Sequence, residues 1–256
     1  MKNVSLSTHD ATPRDVVGIG TNYTPGQLLD THQHRRAQFL YGATGLMEVG
    51  TDDGAWVVPP HCGVWIPAHK PHSVRMVGVS TRSLYIEPAV APRAAERCEV
   101  LPVSPLLRQL LLEAVDAPAL YEVNGRDGLV MRLALAEIGR AAPLPFFAPL
   151  PADPALRALC AAFLRQPHIR SRATDWAAQQ HQSERTFTRF FRAQTGMSFG
   201  EWRQQACLLA ALGGLAEGRS VTHVALELGY DSPGAFSTMF RRRLGFSPSA
   251  QRALES

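Results

Sequence analysis

Between Ser183 and Gly196, side chains that can bind nucleic acid recur three or four positions apart. They are Arg185, Thr188, Arg189 and Arg192. At this spacing they share one face of a helix, and an arginine on such a face can donate two hydrogen bonds to a guanine edge. The alternative is an ordinary solvated basic face, and these residues alone do not separate the two interpretations.

The opposite face of the same helix carries three phenylalanines, Phe187, Phe190 and Phe191, which we expect to be buried. Ser183 can cap the start of this helix, and Gly196 can close its end. A helix with one aromatic face and one basic face, entered from a short turn after another helix, suits the major groove of DNA.

The same arrangement recurs further along the chain. A helix from Val221 ends at a glycine turn, and Ser232-Pro233 provide a cap and a first-turn proline for the next helix. In that helix the inward residues are Phe236, Met239, Phe240 and Leu244, and the outward residues are Ala235, Thr238, Arg241 and Arg242. The sequence therefore predicts two helix-turn-helix units, at 174–195 and 221–244. The individual helices predicted in this half run over 174–180, 184–194, 199–216, 221–228, 233–244 and 249–254.

A helix predicted at 199–216 connects the two units. At 1.5 Å per residue it would span about 27 Å, which is close to the roughly 34 Å between successive major-groove windows on one side of DNA. Gly213 and Gly214 lie inside it. They would either soften the connector or allow a neighbouring segment to pack closely.

The charge distribution agrees with a polyanionic partner. The chain has 256 residues with a net charge of +4, and 24 of its 26 basic residues are arginines. Residues 1–151 carry 13 basic and 14 acidic side chains, whereas residues 152–256 carry 13 basic and 8 acidic side chains. Excess positive charge in one half favours nucleic acid, although an arginine-rich solvated surface would give the same count.

Other classes of protein fit the composition poorly. The longest stretch free of Lys, Arg, Asp and Glu, Gly54–His69, is too short and too rich in proline to span a membrane. No secretory signal is visible in Met1–Asp10. The four cysteines are scattered and form no CxxC pair, which argues against a disulfide scaffold or a zinc finger. We therefore expect a cytoplasmic protein with no membrane partner.

Four stretches of the C-terminal half resemble the AraC/XylS family of transcriptional regulators. They are SERTFTRFFRAQTG (183–196), VALELGYDS (224–232), AFSTMFRRRLG (235–245) and SPS (247–249). The resemblance implies two helix-turn-helix units in one chain that place their second helices in successive major grooves of double-stranded DNA.

By position in these motifs, the resemblance implies base contacts from Arg185, Thr188 and Arg189 in the first unit. In the second unit it implies contacts from Gly234, Ala235 and Thr238, with Arg241 at a phosphate. Two features depart from the family pattern. His181 stands in the first turn where the family usually has a glycine, and Gly234 and Thr238 are smaller than is common at those positions.

The N-terminal half has a different pattern of residue types. Short runs of β-forming residues alternate with turn residues, which is typical of an antiparallel sandwich or barrel. The predicted strands are Gln38–Tyr41, Gly45–Val49, Trp56–Val58, Gly63–Pro67, Ser73–Val77 and Ser83–Glu87. Leucines at helical spacing then predict helices at 106–115 and 129–138. These helices either form a dimer contact or pack under the barrel.

A proline-rich stretch separates the two halves and predicts a stiff, extended linker. The predicted fold is therefore multi-domain, with an N-terminal all-β cupin barrel (a jelly roll) and appended helices, followed by a C-terminal all-α double helix-turn-helix domain. The predicted segments are a sensor domain (1–88), a helical dimerisation segment (89–142), a linker (143–154) and a DNA-binding domain (155–256).

Two segments of the N-terminal half resemble cupin motifs. The first runs from Gly26 through His32, His34 and Gln38 to Gly45, with Gln38 where a glutamate is usual. The second starts with Pro60 and Gly63 and ends at His72. The resemblance implies that His32, His34, Gln38 and His72 point into the barrel. Three imidazoles and one amide oxygen would suit a divalent transition metal such as zinc, nickel or iron(II).

The alternative to a metal site is a polar pocket lining with histidines satisfied by hydrogen bonds. The predicted effector-binding residues are His32, His34, Gln38, Tyr41, Trp65 and His72. Tyr23 is a further candidate aromatic residue of the pocket. For Trp65 the alternative is a place in the hydrophobic core, which is common for a tryptophan close to prolines.

The function that follows is a DNA-binding transcriptional regulator that responds to a small effector and is not an enzyme. The expected partners are double-stranded DNA, a small-molecule effector, a second copy of the chain and RNA polymerase. One alternative is a metal-dependent cupin enzyme with a basic helical extension, which leaves the paired reading helices unexplained. A second alternative is an interaction module whose arginine face binds an acidic protein.

Overall fold

The computed structural model describes residues 11–253 except 25, 60, 78 and 79, so the motif residue Pro60 and the last predicted helical residue, Leu254, lie outside the described residues. The chain forms two compact units. The first contains the described residues up to Thr51 together with Val58–Pro145, and the second contains Asp52–Val57 and the chain from Phe146 onward.

Ten β-strands are present among the described residues. They are β1 (Val16–Asn22), β2 (Leu28–His32), β3 (Ala37–Gly42), β4 (Leu46–Gly50), β5 (Gly54–Val58), β6 (Cys62–Ile66), β7 (His72–Val77), β8 (Ser80–Ile86), β9 (Glu99–Pro102) and β10 (Phe147–Pro149). The six predicted strands are confirmed as β3 to β8. The alternation of β-formers and turns did not reveal β1, β2, β9 or β10.

The strands of the first unit form antiparallel sheets, as the sequence predicts. One sheet has the order β1-β8-β3-β6-β9. In a second sheet β7 lies between β2 and β4. Alternate residues of β3 face opposite sides of the first sheet, so Gln38 and Leu40 face one side while Phe39 and Tyr41 face the other. This alternation decides which residues lie near the candidate site.

Two helices cover one face of the first sheet. They are α1 (Pro105–Asp116), capped by the Ser104 side chain, and α2 (Arg126–Arg140). Buried residues of both helices join Phe39, Tyr41 and Trp65 in one hydrophobic core. The approach is close, because a Cβ on Gly18 of β1 would lie 2.2 Å from the carbonyl oxygen of Ala114. The two helices therefore support the sheet from within the first unit.

The helices of the second unit agree closely with the predicted ones. They are α3 (Pro154–Arg165), α4 (Ala173–Gln179), α5 (Glu184–Thr195), α6 (Phe199–Ala216), α7 (Val221–Glu227), α8 (Pro233–Leu244) and α9 (Pro248–Ala253). None of the helices in the described part of the chain is long and apolar enough to cross a membrane.

The stretch predicted as an extended linker contains a short strand. β10 pairs antiparallel with β5, with Phe147 opposite Trp56, and the rings of these two residues are stacked with centroids 4.4 Å apart. The indole Nε1 of Trp202 in α6 donates a hydrogen bond of 2.8 Å to the carbonyl of Pro149. This stretch therefore takes part in the packing of the second unit. Proline fits there because an edge strand does not need every backbone N–H.

Candidate functional site

An aromatic core fixes the orientation of α5. Phe187 and Phe191 are fully buried, and each packs against Trp176 of α4 and Phe199 of α6 with ring centroids 5.5–6.4 Å apart. Phe190, which the sequence predicted to be buried, is half-buried. With the aromatic face held inside, the opposite face of α5 points to solvent.

The ends of α5 are capped as predicted. The Ser183 hydroxyl accepts a hydrogen bond from the backbone N–H of Thr186, and Gly196 ends the helix with a φ of 74°. A left-handed residue at this position favours glycine because it has no Cβ. The helix therefore begins and ends at fixed residues, which also fixes the order of side chains along its outer face.

The outer face of α5 carries unpaired positive charge. Arg185, Arg189 and Arg192 are exposed, and Thr188 between them is half-buried. Throughout the described residues, the three guanidinium groups have neither a hydrogen bond nor an ion pair. Several other arginines of this unit are engaged, since Arg170 pairs with Asp231 and Arg219 pairs with Glu227. The α5 arginines thus remain available for an external acceptor.

A concave surface of about 770 Å³ lies beside this face, and some of its residues were missed by sequence reasoning. Besides the α5 arginines it is lined by Arg172, Thr174 and Arg203. Arg172 is the residue directly before α4, whose N-terminus also borders the groove. The pair Arg170 and Arg172 next to a helix start was the sequence signal that could have indicated a phosphate contact there.

In the second helix-turn-helix unit, α8 follows the turn and is capped at both ends, as α5 is in the first. Ser232 accepts from the backbone N–H of Ala235, Pro233 occupies the first turn, and Gly245 ends the helix with a φ of 82°. Phe236 and Phe240 are fully buried, while Met239 and Leu244 are half-buried. The predicted cap, proline and inward face of this helix are therefore confirmed.

The predicted contact residues of α8 all lie on its exposed surface. They are Gly234, Ala235, Thr238, Arg241 and Arg242. Three are small, and the Thr238 hydroxyl donates to the carbonyl of Gly234, within its own helix. Arg243, also exposed, donates to the Gln204 side chain of α6. The exposed surface of α8 therefore has short side chains near its N-terminus and two arginines near its C-terminal end.

The close-packing explanation of the glycine pair in α6 agrees with the structure. A Cβ on Gly214 would lie 2.8 Å from the Arg219 guanidinium, which in turn bonds to Glu227 of α7. Gly213 and Gly214 are both buried. Because these two positions have no side chains, the segment after α6 can pack closely against the helix before the second helix-turn-helix unit begins.

In the N-terminal compact unit, the three histidines predicted from the cupin resemblance lie together. His32 ends β2 and is the register partner of His72, which begins β7, while His34 follows β2 by two residues. Their ring centroids are 4.4–5.3 Å apart. Each ring offers a nitrogen within 4.8 Å of the others, so the structure brings these three side chains into one cluster.

The hydrogen bonds of the cluster turn nitrogen lone pairs towards its centre. The Nδ1 atoms of His32 and His72 bond the backbone carbonyls of Asp30 and Lys70, at 2.7 and 2.8 Å. The Nε2 atoms of His34 and His72 are buried without a hydrogen-bond partner among the described residues. Metal-bound histidines commonly use one nitrogen for a backbone carbonyl and the other for the metal.

The surroundings of the cluster keep two of these histidines neutral. Burial lowers the pKa of His34 to about 4, and repulsion from His72 and His32 adds to this effect. Burial also lowers the pKa of His72, against an opposing hydrogen bond to Lys70. A neutral imidazole with a free Nε2 is the form that binds a metal ion.

The polar residues next to the cluster are neutral. Gln38 of β3 faces the same side of the first sheet as Tyr85 of β8, and its amide nitrogen donates to the hydroxyls of Tyr85 and Ser83, at 2.9 and 3.2 Å. The Tyr85 ring lies edge-on to His34, with centroids 5.2 Å apart. Gln38 is therefore tied to the sheet beside the cluster by its amide group.

Two predicted effector residues lie elsewhere. Tyr41 and Trp65 are on the opposite face of the first sheet from Gln38, fully buried in the core that contains α1 and α2. This placement favours the core interpretation of the tryptophan, and neither residue borders the histidine cluster across the sheet. Tyr23 follows β1 directly and is half-buried.

The donor set fits a divalent transition metal. It consists of three imidazoles, two of them with orphaned buried nitrogens, and His32 remains partly exposed at the edge. In a tetrahedral zinc site, nitrogens at about 2.0 Å from the metal would be roughly 3.3 Å apart, so modest ring rotations are required. Three protein ligands would leave at least one position open for another molecule.

Comparison with known proteins assigns both units to a family. A family model described as an AraC-like ligand binding domain matches residues 17–123, and one described as a helix-turn-helix domain matches residues 176–253. The HTH-type transcriptional regulator NimR of Escherichia coli (strain K12) is 30% identical over 241 residues, which are 94% of this chain and 87% of NimR. The chain belongs to the AraC family of transcriptional regulators.

Other members and solved structures are also similar to this AraC-family regulator. The HTH-type transcriptional regulator RipA of Corynebacterium glutamicum is 36% identical over 103 residues, or 40% of this chain and 30% of RipA. The crystal structure of ToxT from Vibrio cholerae O395 is 11% identical with a TM-score of 0.40, covering 94% of this chain and 98% of ToxT.

The two candidate sites fall in the two parts that define an AraC-family regulator. The histidine cluster lies within the range matched to the ligand-binding domain, and the exposed faces of α5 and α8 lie within the range matched to the helix-turn-helix domain. The chain is thus a transcriptional regulator with a ligand-binding domain and a DNA-binding domain, and the family predicted from the sequence motifs is confirmed.

Proposed function

We propose that this regulator reads operator DNA with the exposed faces of α5 and α8. The supporting observation is that Arg185, Arg189 and Arg192 are exposed and unpaired within the described residues, whereas other arginines of the same unit are engaged. Arg185, Thr188 and Arg189 contact bases in the first major groove. Arg192 and the groove residue Arg172 hold phosphates.

In the second helix-turn-helix unit, the short residues Gly234, Ala235 and Thr238 bring the backbone of α8 close to the bases. Such small residues discriminate through contact with thymine methyl groups instead of paired hydrogen bonds. Arg241 and Arg242 bind phosphates at the other end of α8. Most of the sequence discrimination therefore resides in α5, and α8 contributes mainly affinity and register.

The ligand-binding domain responds to an effector at the histidine cluster. His32, His34 and His72 would hold a divalent transition metal, with Gln38 beside them, and the metal would supply a Lewis-acidic binding point for the effector. An effector that binds one arrangement of the regulator better than another shifts the population presented to DNA. Binding of this kind needs no catalysis, and we propose that the protein is not an enzyme.

The regulator acts as a homodimer in the cytoplasm, where it alters initiation by RNA polymerase. Support for the dimer comes from α2, where Leu129 and Leu133 are four residues apart and 57% and 45% exposed. Two leucines one turn apart on an exposed helix face form an apolar strip that a second copy can cover. The DNA sites of a dimer then repeat with the symmetry of the protein.

Retardation of a DNA fragment from the region upstream of the regulator's own gene tests the proposed contacts. Arg185→Ala combined with Arg189→Ala should reduce affinity at least tenfold, since two base contacts are each worth about 1–3 kcal/mol. Arg165→Ala, at the exposed end of α3, removes the same kind of charge away from the reading face and should change affinity little. Equal losses in both proteins would contradict the proposal.

A further inference from the structure

The histidine cluster contains no negative charge. Among the described residues, the group able to hold a metal consists of His32, His34 and His72 without an aspartate or glutamate. The cupin motif that these residues resemble usually carries a glutamate at the position of Gln38. Each imidazole that binds a metal does so as a neutral ligand, so a bound dication would keep its full charge of +2.

The environment of that charge is buried and neutral. His72 is 1% exposed and His34 is 7% exposed. The adjacent polar residues are neutral, and the amide nitrogen of Gln38 donates to the hydroxyls of Ser83 and Tyr85. An uncompensated charge in such surroundings is unfavourable because it is removed from water, whereas pairing it with an anion offsets most of this penalty.

The cluster is reachable from solvent at one side. His32 is only partly buried, in contrast to the other two histidines, and it lies at the end of β2. A metal held by three protein ligands keeps an open coordination position. An incoming molecule can therefore reach the metal from the His32 side.

These observations specify the chemical class of the effector. We propose that the effector is a small anion, such as a carboxylate, that neutralises and completes a metal centre held by His32, His34 and His72. This inference rests on the metal site proposed above. A neutral molecule of the same shape lacks the compensating charge and binds much more weakly. Replacement of the usual glutamate by Gln38 leaves the anionic role to the effector.

Visible spectroscopy of the full-length protein loaded with cobalt(II) tests this proposal. After treatment with a chelator and its removal, addition of cobalt(II) alone should produce the absorption of a protein-bound ion. Acetate should then change this spectrum saturably, whereas acetamide, its neutral counterpart, should require at least about tenfold higher concentrations. His223→Ala removes an exposed histidine outside the cluster and should preserve both responses.

The outcomes separate the two proposals. A normal cobalt spectrum that does not respond to acetate, or responds equally to acetamide, would refute the anionic effector and leave the metal site intact. Failure of cobalt(II) to bind would overturn the metal site and the effector class together. His34→Ala should lose the cobalt spectrum and the acetate response, and an acetate response that persists in this variant would place the anion elsewhere and refute the proposal.

Discussion

His181 and Gly229 occupy equivalent positions in the turns of the two helix-turn-helix units. The backbone N–H of each bonds the carbonyl three residues earlier, and the next residue bonds the carbonyl five residues before it. Both residues have a positive φ, 52° for His181 and 79° for Gly229. The left-handed conformation is costly for a residue with a Cβ. The turn of the first helix-turn-helix unit therefore carries backbone strain at His181 that the turn of the second avoids with Gly229.

His181→Gly should therefore stabilise the protein. We expect the free energy of unfolding to rise by about 0.5–1 kcal/mol, because the gain from relieving the left-handed conformation exceeds the entropy that glycine loses on folding. Urea unfolding followed by circular dichroism would measure this difference. His223→Gly, inside α7 where φ is helical, provides a contrast and should be destabilising by about 1 kcal/mol.

Gly229→Ala should have the opposite effect. A Cβ at this position would lie 2.2 Å from Nε2 of His168, and the φ of 79° disfavours any side chain. We expect a loss of at least about 1 kcal/mol in the free energy of unfolding. Gly218→Ala is the matched control, since its φ is 82° but its Cβ would contact nothing within 4 Å. If both substitutions cost the same, the contact with His168 has no energetic role.

Arg185→Ala and Arg241→Ala should weaken DNA binding in different ways. Arg185 contacts a base in our proposal, so its loss should cost about 1–3 kcal/mol and reduce discrimination between operator variants. In the same proposal Arg241 contacts a phosphate, so its loss should weaken binding to all sequences similarly. It should also reduce the slope of log affinity against log salt concentration by about 1. Fluorescence anisotropy at several salt concentrations distinguishes these patterns, and sequence-independent losses in both variants would contradict the assigned roles.

Leu129→Glu combined with Leu133→Glu should convert a dimer into a monomer. Both leucines are exposed on α2, and two carboxylates there would be buried without partners in a dimer contact. Sedimentation velocity on the full chain would report the change. Leu226→Glu alters an equally exposed leucine of α7 and should leave the oligomeric state unchanged. A dimer that survives the double substitution would exclude this face of α2.

The metal-free protein should lose stability as the pH falls from 6.5 towards 4. The pKa of His34 is about 4 in the folded chain and about 6.5 when unfolded, so between these values the unfolded chain binds more protons. The loss should reach about 3 kcal/mol at the acidic end of this window. Unfolding at pH 7 and pH 4.5 in the presence of a chelator would measure it. His34→Asn should show a clearly smaller difference between the two pH values.

The helical half was predictable from the sequence because its signals are local. Ser183, Gly196, Ser232 and Gly245 act on the neighbouring turn, and the phenylalanine spacing defines an inner face within one helix. The bounds of α6 and α8 agree with the prediction to the residue. The half-buried state of Phe190 depends on what surrounds α5, which no local signal reports.

The sheet and the candidate effector site were only partly predictable. β1 and β9 are defined by pairing with β8 and β6, far away in sequence, and their residues alone do not indicate it. The grouping of His32, His34 and His72 followed from motif resemblance. The placement of Tyr41 and Trp65 depended on strand register, which decides the face of the sheet that each side chain occupies. The arginine groove arises from packing between helices, so the arginines beside the start of α4 indicate only part of it in the sequence.

Asp52–Val57, which contains all of β5 except Val58, belongs to the second unit, although its neighbours in sequence belong to the first. The polypeptide therefore crosses between the units at three peptide junctions, after residues 51, 57 and 145. A cut near residue 150 would leave β5 and β10 together on the N-terminal fragment, separated from the helices α3 to α9 that belong to the same unit. The ligand-binding unit is therefore joined covalently to the DNA-binding unit on both sides of β5, where β4 precedes and β6 follows it in the chain, in addition to the connection after residue 145.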